Sequence, residues 1–328
     1  AFAIATPGAT GALRCALTTF LARDQACLTS SFHWGTYSII AQASQRRITT
    51  FELFDETRGC FNVADFERKL RQTIAEQRRA LVVINDPCHN PTGYTMTARD
   101  WAAVAGVLDR CSSLAPITVV LDSVYAAFSK VGTRRALAAL EPLIDKLLLV
   151  MAWSASKAFT CYGLRVGAVV AVRRDALERR KIESTLAGQA CGTWANCNRG
   201  GLAAVARLLT DPRLRRAVER DRGHQMELLR KRSELFRIAA DKCELECPPY
   251  GGGFFTTVFV DNPQHVATKL RDRGIYVVPM PGSLRIALSA VRTQDVAELA
   301  YELRAAIDEY ESIWPVASLE PYPKAPAA

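Results

Sequence analysis

Short apolar runs alternate with amphipathic stretches through the first two-thirds of the chain, the pattern of an α/β domain built on a mostly parallel sheet. Residues 10–23 read as a helix. Residues 65–79 read as another, with Phe66 and Leu70 on one side and Arg68, Lys69 and Arg71 elsewhere. The apolar run 81–85 predicts a buried strand that stops at Asp86 and Pro87, and Thr97 opens a helix to 108 with Asp100 in its first turn. Runs 117–121 and 147–153 predict two further strands. From 211 a highly charged helix pattern continues to 240. A strand-like run at 251–260 behind three glycines, a segment at 274–279, a short strand at 284–288 and a closing helix at 294–310 follow. This pattern predicts a large domain over 1–222 and a smaller α+β domain over 223–328, with a frayed Pro- and Ala-rich tail from 318.

Composition narrows the function classes. The 328 residues are 49% hydrophobic and 23% charged, an ordinary globular balance. No apolar run reaches the length of a membrane helix and no secretory segment opens the chain, so the expectation is a soluble, cytoplasmic protein with no membrane partner. Of the ten cysteines, the only close pairs are Cys191/Cys197 and Cys243/Cys247, neither with zinc-site spacing; reduced thiols and no metal are expected. The formal charge of +9 is densest at 173–181 and 213–232, where acids interrupt the bases. Arg215/Glu219 and Glu227/Lys231 stand at i,i+4, as on a solvated helix face, and no nucleic-acid module is present. The chain begins at Ala1 without Met, and a Gly-rich loop arrives by Gly8 with a supporting strand barely present; a processed, split or partly lost chain is expected.

Three motifs each sit just beyond the carboxyl end of an apolar strand, where open α/β sheets bind ligands. The first runs from Asn85 through Asn90-Pro91-Thr92-Gly93. By itself it is a good turn; functionally, Asn90 would donate its amide to an oxygen on a bound ring. The second is Asp122-Ser123-Val124-Tyr125. Asp122 either caps a helix or meets a cationic ring nitrogen, with the Tyr125 hydroxyl reaching the same ring. The third is Ser154-Ala155-Ser156-Lys157, followed eight residues on by Arg165. Lys157 and Arg165 are either surface residues or, together, a Schiff-base lysine with a phosphate gripped by Ser154 and Arg165, since a guanidinium binds two phosphate oxygens at once.

The set as a whole resembles the fold-type I pyridoxal-phosphate (PLP) enzymes, specifically class I aminotransferases of the aspartate and aromatic kind. The segment from Gly8 to Arg14 resembles that family's phosphate loop, with Ala9 and Thr10 at the helix start, and Trp34 resembles the residue that stacks on the pyridine ring. Asn90, Asp122, Tyr125, Ser154, Lys157 and Arg165 fall at the family's cofactor positions, and Leu284-Arg285-Ile286 matches the arginine that holds the substrate α-carboxylate. The resemblance implies a homodimeric aminotransferase that moves the amino group of an aromatic or acidic amino acid to a 2-oxo acid. Lys157, Asp122 and Tyr125 would be catalytic, and Arg285, Asn90 and Trp34 would bind substrate. It also implies roughly a hundred residues ahead of the phosphate loop that are absent here. Cys191 stands near the position where aspartate-specific members carry an arginine, and Trp34 and Trp194 are candidates for an apolar substrate wall.

Two other readings use the same residues. A PLP-dependent C–S lyase or decarboxylase would need only small pocket changes. A PLP-binding regulatory module without enzymatic activity would need a DNA-binding segment, and no basic recognition helix is present in this sequence.

Overall fold

The computed structural model describes residues 1–55 and 59–313; the tail from 318 lies outside them. The chain divides into two compact units, one over 1–226 with 249–253, the other over 227–248 with the residues from 254 onward.

In the first unit, strand β1 (Phe2–Pro7) leads into helix α1 (Gly8–Phe20), then β2 (Ala26–Ser30), α2 (Thr36–Ala43) and β3 (Arg47–Phe51). Next come α3 (Val63–Gln77), β4 (Ala80–Asn85), α4 (Ala98–Ser112) and β5 (Ile117–Asp122). Helix α5 (Arg134–Leu140), β6 (Leu148–Ser154), the short α6 (Ala155–Ala158) and β7 (Val166–Val172) follow. Helices α7 (Ala176–Trp194), α8 (Arg199–Thr210) and the first half of α9 (Pro212–Lys242) complete it. The seven strands form one sheet in the order β1-β7-β6-β5-β4-β2-β3. Strand β7 runs antiparallel to both its neighbours, and the pairs from β6 to β3 are parallel. The α/β architecture read from the sequence is the one observed.

Local chemistry explains the elements. All six residues of β4 and all six of β5 are buried, which is why these central parallel strands are continuous apolar runs rather than alternating ones. Each fully buried Leu or Val there contributes about 1.5–3 kcal/mol over leaving it in water. Helix α3 buries Phe66, Leu70, Thr73 and Ile74, a single stripe at helical spacing, and Asn62 caps it by accepting from the Asp65 amide at 3.0 Å. Helix α4 starts in a reciprocal cap: Thr97 Oγ accepts from the Asp100 amide at 3.1 Å, and Asp100 accepts from the Thr97 amide at 2.7 Å. The sequence reading missed β1. It is a six-residue strand paired antiparallel with β7 along its whole length, so the Gly-rich turn has a firm support.

The second unit contains the end of α9, strands β8 (Phe255–Phe259), β9 (Val278–Met280) and β10 (Ser283–Ala287), and helices α10 (Pro263–Asp272) and α11 (Val296–Ile313). Its sheet is antiparallel in the order β8-β10-β9. Along α9, Arg215 bonds Glu219 at 3.0 Å, and Arg230 holds both Glu227 at 2.6 Å and Glu234 at 2.9 Å. Such exposed pairs contribute little to stability. The ten cysteines, all among the described residues, are free thiols. No helix among the described residues is long and apolar enough to cross a membrane.

A close backbone approach in the first unit joins β7 to the turn before α1. A Cβ on Gly167 would stand 2.6 Å from the Gly8 carbonyl carbon and 2.7 Å from the Trp153 oxygen, contacts only backbone movement can relieve. Gly163, four residues earlier in the turn before β7, has nothing within 4 Å of such a Cβ. Gly167→Ala is expected to lower stability by about 1–3 kcal/mol in chemical denaturation, while Gly163→Ala stays within about 0.5 kcal/mol.

Candidate active site

The carboxyl ends of β4, β5 and β6 lie side by side, and each ends in a polar residue: Asn85, Asp122 and Ser154. Register pairs Asn85 with Asp122, and Asp122 with Ala152 two residues before Ser154. Neighbouring strands are ~4.8 Å apart, so this row spans the width of a small aromatic ring.

Asn85 ties the row to the next loop. Its Nδ2 donates to the Asp122 carbonyl at 2.9 Å and its Oδ1 accepts from the Asn90 amide at 2.7 Å, which places Asn90 over the strand ends. Behind Asn90, His89 Nδ1 is 2.8 Å from Thr92 Oγ1 and its Nε2 is 3.3 Å from Ser30 Oγ on β2. Burial lowers its pKa to about 3, so this bridging ring is uncharged. At the root of the loop Asp86 accepts from the Met96 amide at 2.8 Å and Trp101 Nε1 at 3.0 Å; burial raises its pKa to about 7.

Asp122 is the buried charge of the site. The Tyr37 phenol on α2 donates to Oδ2, while among the described residues no donor stands in hydrogen-bonding geometry to the buried Oδ1. Burial pushes its pKa up to about 6, with the Tyr37 hydroxyl and the Val124 amide offsetting part of the rise. Asp122 caps no helix. Trp34 meets Tyr37 edge-on, with ring centres 5.8 Å apart, and packs against the main core of the unit. The buried Tyr125 sits three residues after Asp122, and Lys157 Nζ lies 5.8 Å from the centre of its ring.

Lys157 projects from α6, whose first turn is capped by Ser154: the Ser154 hydroxyl accepts from the Ser156 amide at 3.1 Å. Lys157 Nζ also lies 4.7 Å above the ring of Tyr162. Beside it is a cationic corner. Helix α1 begins at Gly8 with no acid in its first turn, so the free amides of Gly8, Ala9 and Thr10 and the positive end of the helix are uncompensated. The Arg165 guanidinium closes that corner, with Nη2 3.4 Å from the Pro7 carbonyl, and Nη1 3.4 Å from Ser156 Oγ and 3.1 Å from the Tyr162 carbonyl. Gly8 has φ +72°, and a Cβ there would stand 2.9 Å from Arg165 Nη2, so glycine is required by both backbone and space.

The first unit thus brings together Ala9, Thr10, Trp34, Asn90, Asp122, Tyr125, Ser154, Lys157 and Arg165. Arg285 lies on β10 of the second unit, its guanidinium 4.6 Å over the Phe255 ring. Cys191 is exposed on α7, while Trp194 at the end of that helix packs on the main core. Three contributors escaped the sequence reading. Tyr37, three residues after Trp34, and Asn85, a polar strand end equivalent to Asp122, carried faint signals. Ser156, rather than Ser154, is the serine whose hydroxyl meets Arg165.

Comparison with known proteins gives the same answer from another direction. An aromatic-amino-acid aminotransferase of Paracoccus denitrificans is 28% identical over 307 residues, 90% of this chain and 74% of that protein. A tyrosine aminotransferase of Rhizobium meliloti is 27% identical over 306 residues, again 90% and 74%. The crystal structure of an aminotransferase from Anaerococcus prevotii superposes with a TM-score of 0.88 at 28% identity, covering 93% of this chain and 75% of its own. An aromatic-amino-acid aminotransferase of Burkholderia pseudomallei, covalently bound to pyridoxal phosphate, shares the fold with a TM-score of 0.77 at 22% identity over 93% of this chain and 75% of that one. The family model for aminotransferases of class I and II matches residues 2–303, and with a lysine, a buried carboxylate and a cationic corner gathered at one sheet edge, this chain belongs to that family.

Proposed function

We propose that this protein is a PLP-dependent aminotransferase that moves the amino group of an aromatic amino acid to a 2-oxo acid, with Lys157 as the cofactor-bearing amine. The observation that carries the reading is Asp122: a carboxylate buried at the row of strand ends with one oxygen lacking a donor suits a protonated ring nitrogen. The cationic corner of α1, Ser156 and Arg165 suits the phosphate. The residues therefore fit the cofactor at both its charged ends.

When bound, PLP supplies an aldehyde that exchanges with amines and a ring that accepts the electron pair released at the substrate Cα. Lys157 Nζ would hold the cofactor through its aldehyde and, as a free amine, would be the base that takes a proton from the substrate Cα. Asp122 would hold a proton on the ring nitrogen, which would make the ring the better electron acceptor. Asn90 and Tyr125 would hold the ring oxygen as donors, and Trp34 would lie against the ring. Arg285 is assigned to the α-carboxylate on its motif. Homodimeric assembly follows from the family resemblance and belongs to the same proposal.

The substrate preference follows from charge. Cys191 supplies no guanidinium where aspartate-specific members carry one, and a desolvated carboxylate without a cation is costly. The aromatic names of the two relatives above point the same way. With 2-oxoglutarate as acceptor, tyrosine and phenylalanine should equal or exceed aspartate in kcat/KM, with glutamate formed in step with amino acid consumed. An aspartate preference above about a hundredfold, some 2.7 kcal/mol, would overturn the aromatic assignment. Release of ammonia or CO₂ in place of glutamate would overturn the aminotransferase one.

Asp122 can be tested with and without cofactor. Its folded pKa of about 6 lies above the ordinary 3.8, so its contribution to stability is full below about pH 4 and is lost as pH rises through about 6. Asp86 titrates in both proteins and cancels in their difference. Relative to Asp122→Asn, the cofactor-free wild type should lose on the order of 3 kcal/mol between pH 4 and 7.5 in denaturant titrations, with a flat difference contradicting the buried charge. In the loaded enzyme the same substitution should slow single-turnover amino transfer on the order of a hundredfold or more, as expected when a preorganised charge is removed.

A further inference from the structure

Tyr37 is buried in the core of the first unit and its hydroxyl is the one side-chain donor, among the described residues, in hydrogen-bonding geometry to the Asp122 carboxylate. We propose that Tyr37 is the positioning residue of the site: its phenol fixes the plane of Asp122 through Oδ2, so that Oδ1 is held as the acceptor for the cofactor's ring nitrogen. The inference rests on the reading of Asp122 given above and adds to it the residue that makes that reading work.

The geometry gives three reasons. A carboxylate turns readily about its last side-chain torsion, and both oxygens are equivalent until one is engaged. Holding Oδ2 therefore decides where Oδ1 faces. Second, Tyr37 cannot easily move. It lies 3% exposed, with Trp34 edge-on at 5.8 Å and the His33 ring parallel to it at 6.0 Å and 6°. His33 is itself held by a 2.9 Å contact between Nδ1 and the Ser30 carbonyl. Third, the donor stays neutral. Burial first, and then the Asp122 charge, hold the Tyr37 hydroxyl well above the usual phenol range. Burial lowers the His33 pKa and raises that of the nearby Cys27 thiol to about 12. A cationic donor at this place would pair with Asp122 and weaken its demand for the ring nitrogen's proton. A phenol gives direction and leaves the negative charge for the ligand.

The test compares two ligands on the full chain: PLP, and its carbocyclic analogue in which the ring nitrogen is replaced by CH. Dissociation constants for both are measured on wild type, Tyr37→Phe, Asp122→Asn and the double variant, with melting temperature followed alongside. The ratio of the two constants cancels any general loosening of the pocket, which a merely structural role would produce. Tyr37→Phe should cut the preference for PLP over the analogue on the order of tenfold, the scale of one hydrogen bond to a charged group, and leave affinity for the analogue nearly unchanged. Asp122→Asn should cut it at least as far, and adding Tyr37→Phe to that background should change it no further. The double variant buries no unpaired charge, so it keeps this comparison available even if Tyr37→Phe alone folds poorly. An unchanged ratio in Tyr37→Phe beside a reduced one in Asp122→Asn would overturn the role of Tyr37 and leave Asp122 in place. So would an additional loss from Tyr37→Phe in the Asp122→Asn background. An unchanged ratio in Asp122→Asn would overturn the reading of Asp122 itself, and Tyr37 with it.

Discussion

A carboxylate at the end of a fully apolar strand is the constraint on which the rest of the site depends. Asp122 costs free energy wherever it is charged and buried, as its raised pKa records. The fold offsets part of that cost through the Tyr37 hydroxyl on Oδ2 and the Val124 amide, and among the described residues leaves Oδ1 without a donor in hydrogen-bonding geometry. A purely structural aspartate in such a place would be expected to have both oxygens satisfied, as Asp86 does through the Met96 amide and the Trp101 indole. The contrast between these two buried acids, one strand apart in the same sheet, supports the proposal that Asp122 is arranged for a ligand.

The other end of the site is set by backbone rather than by charge. β1 reaches α1 through a turn so tight that Gly8 and Gly167 stand almost in contact, and Arg165 is laid across that turn from the far side. The antiparallel pairing of β1 with β7 thus fixes where the amides of α1 begin relative to the guanidinium. Register between β4 and β5 fixes Asn85 beside Asp122, and Asn85 in turn carries the Asn90 loop. The Arg165 corner, Asp122 and Asn90 are therefore positioned by one sheet, with side chains making only the final adjustments.

How much of this was legible in the sequence follows from how local each signal is. β4 and β5 were readable because a strand buried on both faces must be apolar throughout, and the Thr97 and Asp100 start of α4 is a short-range pattern. β1 was not, because it is only half-buried and its identity comes from a partner more than 150 residues away. The motif residues at the strand ends could be named one by one, since each follows an apolar run. Tyr37 was hidden because its partner lies 85 residues along the chain and a tyrosine inside a helix is usually just core. Ser154 and Ser156 both stand near Lys157, and only the cap geometry decides that the first hydroxyl serves the backbone while the second meets Arg165. Arg285, on a separate unit, is still known by its motif rather than by its surroundings.

The central claim is that Lys157, above the rings of Tyr125 and Tyr162 and beside the Arg165 corner, is the amine that carries the cofactor. Incubation of the protein with PLP, borohydride reduction, proteolysis and peptide mass spectrometry would locate the attachment directly. The account predicts a stoichiometric pyridoxyl adduct on Lys157. An adduct on Lys130 or Lys146, or scattered substoichiometric labelling with Lys157 unmodified, would contradict it.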